Sequence, residues 1–367
     1  MNTTSSRANK PVRLGPRDPV ALAKDNSTGS LDFARDDRRA FRYALNRWFL
    51  RSKRDLPWRR TRDPYAILVS EIMLQQTQAA TVVPYYNRWL RRFPTVRSLA
   101  ATTESDVLHA WQGLGYYTRA RNLHRCGKMI VEKFGGRLPN DPDELKSLPG
   151  IGLYTANAIA VFAFDQSLPI VEANTARVLS RLFNIRAPID STSGRQKLWE
   201  ASAKLVPQKG ARHFQNTMMD LGALICTAHN PCCQICPVKK FCRADKPASL
   251  PRKRQRARTI SITEWHCFRT SGRTILLERC RQRWRGMWML PKIQQRNSAP
   301  IHRAQFSFTH HRITLEVFRG RSNRLTTRQR WFSCHQLNRI PIPSPHRRAI
   351  IDLFIAERGA GLHPQRS

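Results

Sequence analysis

Apolar residues recur along this chain with two different periods. From about Asp36 to Ala244 they fall every three to four positions, the spacing that gathers them on one face of a helix. That pattern predicts helices over 37–52, 79–92, 117–133, 153–163, 174–183, 195–206 and 212–225. Asp63-Pro64 marks another helix start, with Asp at the cap and Pro at the first helical position. The run that follows, Tyr65 to Leu74, is too apolar for an exposed helix and predicts a central one. Asn140-Asp141-Pro142-Asp143-Glu144 repeats the start signal, with Glu144 placed to close a capping box on Asp141.

Beyond about Thr259 the period shortens. Thr259–Arg269, Thr274–Glu278, Ile313–Phe318 and Arg330–Ser333 are rich in β-branched and aromatic residues and predict strands. Pro345 to Arg358 reads as a closing helix. Between the two regimes, Pro247, Ser249 and Pro251 lead into the basic run Arg252 to Arg258. This is a linker, either a solvated tether or a strap on a polyanion. The expected organisation is a mainly α protein: a disordered basic arm over 1–35, a helical domain over 36–244, the linker over 245–258, a small α+β domain over 259–360 and a disordered tail over 361–367. There are no internal repeats.

Composition adds a partner to this picture. The chain has 367 residues, which suits two domains, and its hydrophobic share of 41% allows sizeable cores. Its net charge is +39, from 64 Lys+Arg against 25 Asp+Glu. A surplus of that size favours a polyanion, because each cation that meets a phosphate releases a counterion. Nucleic acid fits better than an anionic membrane surface, and charge does not separate DNA from RNA. The arm lacks the apolar core of a signal peptide, and no long apolar run occurs elsewhere. The expectation is therefore a monomer with no membrane attachment, cytoplasmic and nucleoid-associated, or nuclear or organellar in a eukaryote. In a reducing compartment its nine cysteines are free thiols or metal ligands rather than disulfides.

Four of them stand out. Cys226, Cys233, Cys236 and Cys242 give C-x6-C-x2-C-x5-C within one short loop. Zinc held by four thiolates is one reading, but zinc sites usually join two tight pairs across a longer gap. One tight pair with two wider arms better suits a cubane cluster. Cys232 lies beside Cys233, and Cys126, Cys267, Cys280 and Cys334 are isolated, which fits buried thiols. A second motif is Leu148-Pro149-Gly150-Ile151-Gly152, between two expected helices. Two glycines let the backbone turn with positive φ, and the following helix offers free N–H groups to an anion such as a DNA phosphate. Alone, such a turn is most often an ordinary interhelical connection.

The remaining motifs carry a resemblance. Leu56-Pro57-Trp58-Arg59, Tyr65, Ser70-Glu71-Ile72-Met73-Leu74-Gln75-Gln76-Thr77-Gln78, Trp111 to Tyr117 and Phe214 to Cys226 resemble the signature of MutY-type adenine DNA glycosylases. The match is dense from Phe41 to Cys242. The cysteine spacing is similar to the iron–sulfur loop of the endonuclease III and MutY glycosylases, here 226–242, and the glycine turn to their helix-hairpin-helix. The resemblance implies a helix-hairpin-helix glycosylase fold with a [4Fe-4S] cluster, acting on double-stranded DNA. The reaction it implies is hydrolytic removal of adenine opposite 8-oxoguanine or guanine.

Such chemistry needs a proton on the base and stabilisation of an oxocarbenium-like sugar, which two carboxylates in different environments supply. Glu71, in an apolar helix, is the expected general acid. Glu172 is the expected sugar-side carboxylate, with Asn174 beside it; the family has Asp at this position. Tyr154 stands where lyase-competent relatives carry a Schiff-base Lys, which implies a monofunctional enzyme. Asn216 occupies the place of a residue facing the flipped adenine. Gln75, Gln76 and Tyr116 are expected to enter the duplex, and Arg59, Leu148, Gly150 and Gly152 to contact DNA. Gly286 to Pro291 and Phe308-Thr309-His310 resemble landmarks of a Nudix-like domain that reads 8-oxoguanine. Two alternatives follow from particular residues. Tyr154 also suits a thymine mismatch glycosylase, and Glu172 a catalytically impaired mismatch-binding protein.

Overall fold

The computed structural model describes residues 34–255, 258–308, 310–320 and 325–360. Nearly all of the expected arm, Thr309 and the expected tail lie outside the described residues.

The first part of the chain is helical. It comprises α1 (Arg35–Ser52), α2 (Pro64–Leu74), α3 (Ala79–Arg92), α4 (Val96–Ala101), α5 (Glu104–Ala110) and α6 (Thr118–Phe134). There follow α7 (Pro142–Ser147), α8 (Leu153–Phe164), α9 (Ala173–Leu182), α10 (Thr192–Leu205) and α11 (Ala211–Asp220). A single π-helical turn, Leu221–Ile225, prolongs α11. The short helices α4 and α5 escape a reading based on period, because neither spans two full turns. They are held instead by caps: Thr95 accepts the amide of Ser98 and Thr103 that of Asp106.

Helix α2 starts as its sequence dictates, with Asp63 accepting the amides of Tyr65 and Ala66. Every residue from Tyr65 to Met73 is buried. Burying a large apolar side chain contributes roughly 1.5–3 kcal/mol, so α2 is firmly anchored and Glu71 sits on a rigid support. Two helical cores form. One surrounds α2, α3, α6 and α8, with Leu68, Trp89, Trp111 and Ile159; the other joins α1, α9, α10 and α11 through Phe41, Leu179, Leu205 and Met218. Asp141 caps α7 by accepting the amides of Asp143 and Glu144, so Glu144 enters through its backbone.

The rest is α+β: β1 (Ile260–Phe268), β2 (Thr270–Ser271), β3 (Thr274–Arg279), β4 (Trp288–Met289), β5 (His302–Phe308), β6 (His311–Arg319), β7 (Gln329–Ser333) and α12 (Ser344–Ala360). In one sheet β6 lies between a parallel β1 and an antiparallel β5. In the other β3 pairs antiparallel with β2, β4 and β7. Helix α12 packs Ile350 and Leu353 against Phe268, Leu277 and Phe332. The segment between β3 and β4 does not join this core. Trp284 and Met287 lie in the helical core with α2 and α6, as does Met289. Arg121 reinforces the junction, donating to the carbonyl of Arg285 and pairing with Glu104 at 3.0 Å. No helix among the described residues is long and apolar enough to cross a membrane.

Candidate active site

A cavity of about 940 Å³ opens between the two helical cores, with Glu71 and Glu172 both in its wall. Glu71 projects from the middle of α2 and is 4% exposed. Burial pushes its carboxyl up to about 7; the hydrogen bond from Tyr154 opposes the shift and the charge of Glu172 adds to it. Tyr154, in the first turn of α8, donates its hydroxyl to Glu71 Oε2 at 2.8 Å. That bond leaves Oε1 toward the cavity. The hydroxyl itself stays protonated, because burial and the charges of Glu71 and Glu172 raise its pKa.

Glu172 is the N-cap of α9. Its Oε1 accepts the amide of Thr175 at 2.8 Å, and its Oε2 accepts the amide of Asn174 at 2.8 Å and the Asn174 side chain at 3.3 Å. Thr175 returns the bond to the Glu172 amide, completing a capping box. Burial raises the pKa of this carboxyl, while those amides and the charges of Arg177 and Arg54 act to keep it ionised. The Glu172 side chain thus curls back over its own helix terminus.

Behind it, Arg177 ties the site to the cysteine loop. It donates to Asn174 Oδ1 at 2.8 Å, to the carbonyl of Gly222 at 2.7 Å and to that of Cys226 at 2.7 Å. Gly222 lies in the π-helical turn, where a Cβ would stand 2.6 Å from that of Asn174. Arg181, 1% exposed, donates to Cys226 Sγ at 3.2 Å and to the carbonyls of Thr227, Ala228 and Leu250. The thiols of Cys226, Cys242 and Cys233 add to the burial that pushes Cys236 up to about 11. The four thiols therefore stand close enough to feel one another, whereas Cys232 is exposed. Among the described residues no three His, Cys, Asp or Glu side chains are grouped to hold a single metal ion. Cys226, Cys233, Cys236 and Cys242 share one loop, and Arg181 offers Cys226 an N–H···S donor, which is the chemistry a thiolate ligand would need.

On the far wall Asn216 turns its NH2 back to the carbonyl of Arg212 at 3.0 Å, leaving its side-chain oxygen free for a base. Arg59 lines this cavity. Its guanidinium grips Asp220 through Nη1–Oδ2 at 2.8 Å and Nη2–Oδ1 at 2.9 Å, and Arg54 joins the same carboxylate at 2.6 Å. A carboxylate with no exposure requires such partners. Asp220 was visible in the sequence as a lone charge inside Met218-Met219-Asp220-Leu221-Gly222, a signal that a cation must meet it.

The residues expected to enter the duplex lie on two adjoining loops. Gln76 and Tyr116 both adopt positive φ, 58° and 46°, and Tyr116 is 41% exposed. Non-glycine residues in this region carry strain that surrounding structure must hold. Here the holder is Arg119, 8% exposed. It donates to the carbonyls of Ile72, Met73 and Gln75 on one loop and to that of Leu114 on the other. It also stacks 5.5 Å from the Tyr116 ring. The sequence motif that begins at Trp111 continues through Arg119 but gives that residue no role.

In the glycine turn only half of the expectation holds. Gly150 has φ +81°, and a Cβ there would stand 2.6 Å from that of Asn122. Gly152 instead has φ −97°, because it is the N-cap of α8 and caps take extended backbone. Nothing lies within 4 Å of where its Cβ would be, which leaves the helix terminus open. The Leu148 side chain is buried at 2%, so only its backbone is available to a ligand. In the α+β region, Phe308 ends β5 with Arg283 stacked 4.9 Å from its ring, and His310 stacks 4.1 Å from His311 in the β5–β6 turn.

Comparison with known proteins gives this geometry relatives. Residues 69–204 match the model of the HhH-GPD superfamily base excision DNA repair proteins. The chain is 42% identical over 239 residues to the adenine DNA glycosylase of Homo sapiens, covering 62% of this chain and 44% of the human one. It is 36% identical to the adenine DNA glycosylase of Buchnera aphidicola subsp. Baizongia pistaciae, covering 69% of this chain and 73% of that one. The match thus spans less than half the length of the human relative and about three quarters of the bacterial one. Among solved structures, a thermostable thymine-DNA glycosylase superposes with TM-score 0.53 at 31% identity, over 56% of this chain and 95% of that one. An endonuclease III in a non-covalent DNA complex superposes with TM-score 0.50 at 25% identity, over 58% and 96%. Sequence identity of this extent over most of a bacterial relative, together with the match over residues 69–204, places the chain in the adenine DNA glycosylase family of the helix-hairpin-helix base-excision-repair superfamily.

Proposed function

We propose that the protein removes adenine paired with 8-oxoguanine or guanine in duplex DNA and stops at base removal. The observation that carries this reading is the pairing in one cavity of a carboxyl held at about 7 with a second carboxyl fixed by helix-terminal amides. A base swung into the cavity meets Glu71 Oε1, which donates its proton to a ring nitrogen. The glycosidic bond then breaks with its electron pair leaving on the base. Glu172 balances the positive charge that develops on the sugar, and water adds at the anomeric carbon. Tyr154 brings a hydroxyl where a Schiff base would need an amine, so the step ends in hydrolysis. Phe308 and His310, at the β5–β6 turn, are the proposed readers of the opposite base together with Thr309.

Cys226, Cys233, Cys236 and Cys242 are the proposed ligands of a [4Fe-4S] cluster. When bound, such a group cross-links its loop, and through Arg181 and Arg177 the protein ties that loop to α9 and Asn174. Iron and sulfide near four per chain in anaerobically purified protein are expected, and stoichiometric zinc would remove the cluster from the reading.

Single-turnover excision on duplexes containing A·8-oxoguanine, A·G, T·G and U·G tests the function. Adenine release from the first two, without a borohydride-trapped adduct, is the expected result. Thymine release would instead favour the second reading, which the 31% identical thymine-DNA glycosylase makes specific.

A further inference from the structure

The floor of the base cavity is also the wall of another recess. Arg54, Arg59, Arg212 and Asn216 line both the larger cavity and a neighbouring one of about 540 Å³, whose rim carries the exposed Lys53 and Arg62. The carboxylates of this recess do not balance its cations. Asp55 is occupied by Arg60, and Asp165 accepts the backbone amide of Arg212 rather than a guanidinium. Arg54 and Arg59 share the single carboxylate of Asp220. Arg212 turns Nη2 to the carbonyls of Arg59 and Thr61, and neither it nor Lys53 or Arg62 meets a carboxylate side chain in an ion pair among the described residues. Helix α11 begins in the same wall at Gly210, and Asp165 is the carboxylate that meets its first-turn amide at Arg212. Beyond the effect of burial, Arg62 depresses the pKa of Arg212 while Asp165 raises it, and Lys53 depresses that of His213.

We propose that this recess binds a phosphate dianion, either free inorganic phosphate or the terminal phosphate of a nucleotide. Guanidinium and ammonium groups in excess of carboxylates, around a space of this size, are the chemistry that recognises such an anion. The recess is built from the end of α1, residues 53–62, Asp165 at the end of α8 and the start of α11. None of these lies on the two strained loops or the glycine turn that face the proposed duplex. The inference does not depend on which base the neighbouring cavity takes.

The acylation rate of Lys53, read by mass spectrometry on the full-length protein, tests it. Phosphate, adenosine monophosphate and chloride are compared at matched ionic strength, so that screening is equal. At phosphate about ten times above its dissociation constant, mass action predicts about tenfold protection of Lys53 relative to chloride. Protection by either phosphate species supports the site, and the stronger of the two identifies its source. Arg62→Glu, at an exposed position outside the base cavity, should remove the protection, while Arg62→Lys keeps it and both variants melt as the native protein does. Equal rates in phosphate, nucleotide and chloride overturn the proposal. So does protection by duplex DNA alone, which would make the recess part of the DNA track.

Discussion

Glu71 and Glu172 are carboxylates of the same length, and their surroundings send them to different tasks. Burial raises both, but Glu71 receives only the Tyr154 hydroxyl, whereas Glu172 receives two helix-terminal amides and lies near two arginines. The first keeps a proton near neutral pH; the second is raised by burial as well, but amides and arginine charges oppose the rise. Since Glu71 must be protonated and Glu172 ionised to act, single-turnover excision at saturating protein should fall about tenfold per unit above about pH 7 and decline again at acid pH as Glu172 takes up a proton. Glu71→Gln should lose excision while duplex affinity is kept, and a pH profile unchanged in shape in the native protein up to pH 9 would remove Glu71 as the acid. Glu172 is also a helix cap, so its two roles must be separated. Loss of a cap alone costs about 1 kcal/mol of stability and nothing in chemistry. Glu172→Gln should instead lower excision by about 100-fold or more, the scale on which preorganised charge acts. Glu172→Asp keeps the cap but draws the carboxylate back by one methylene, so it should melt like the native protein and excise more slowly. A Gln variant as fast as native would leave Glu172 a cap only.

At the scale of elements, the site is a set of loops held by buried arginines, and Arg119 is the most telling. It fastens the end of α2 to the start of α6 and thereby fixes the positive-φ residues Gln76 and Tyr116. Arg119→Lys keeps the charge but cannot reach both loops with a planar fork. It should slow excision from duplex by about tenfold to 100-fold, the size of effect expected when geometry shifts by ~1 Å, and much less from a substrate whose adenine is already unpaired. Equal losses on both substrates would show that the arginine acts on chemistry or stability rather than on base extrusion. Arg119 also shows where sequence reading stops. Helices α2, α3 and α8 were legible because a cap, a period or an unbroken apolar run announces each. Glu71 and the cysteine loop were legible because their types and spacing are unusual. Strand β5 was not, since His302 to Phe308 alternates half-buried with exposed residues and its polar members hide the period. Nor did Gly152 reveal that it caps rather than turns. Among 64 Lys and Arg, the few that bind carbonyls in the interior carry no local mark. Only the carbonyls and carboxylates left over from folding single them out, and those appear once the helices are packed.

Across the whole molecule, the α+β region meets the helical one at Trp284, Met287 and Arg121, among other contacts, and this junction decides whether the chain behaves as one body or two. Trp284 is 6% exposed and belongs to the helical core, yet its ring also lies 5.8 Å from that of Phe306 on β5 and 5.3 Å from that of His346 on α12. It therefore positions the strand that leads to Phe308 and His310. Truncating a buried Trp to Ala costs about 3–5 kcal/mol, comparable to the margin that keeps a domain folded. Trp284→Ala should lower the melting of both regions, followed separately by the far-ultraviolet signal of the helices and by proteolysis between β3 and β4. Trp284→Phe, which keeps an aromatic ring, should lose less. Below the new melting point Trp284→Ala should still excise adenine from A·G, because Glu71 and Glu172 lie in the helical part. Its preference for A·8-oxoguanine should shrink, because the β5–β6 turn has lost its support. If the helical signal melts at the native temperature and the preference is unchanged, the two regions are independent and the contacts at Trp284 do not position the turn.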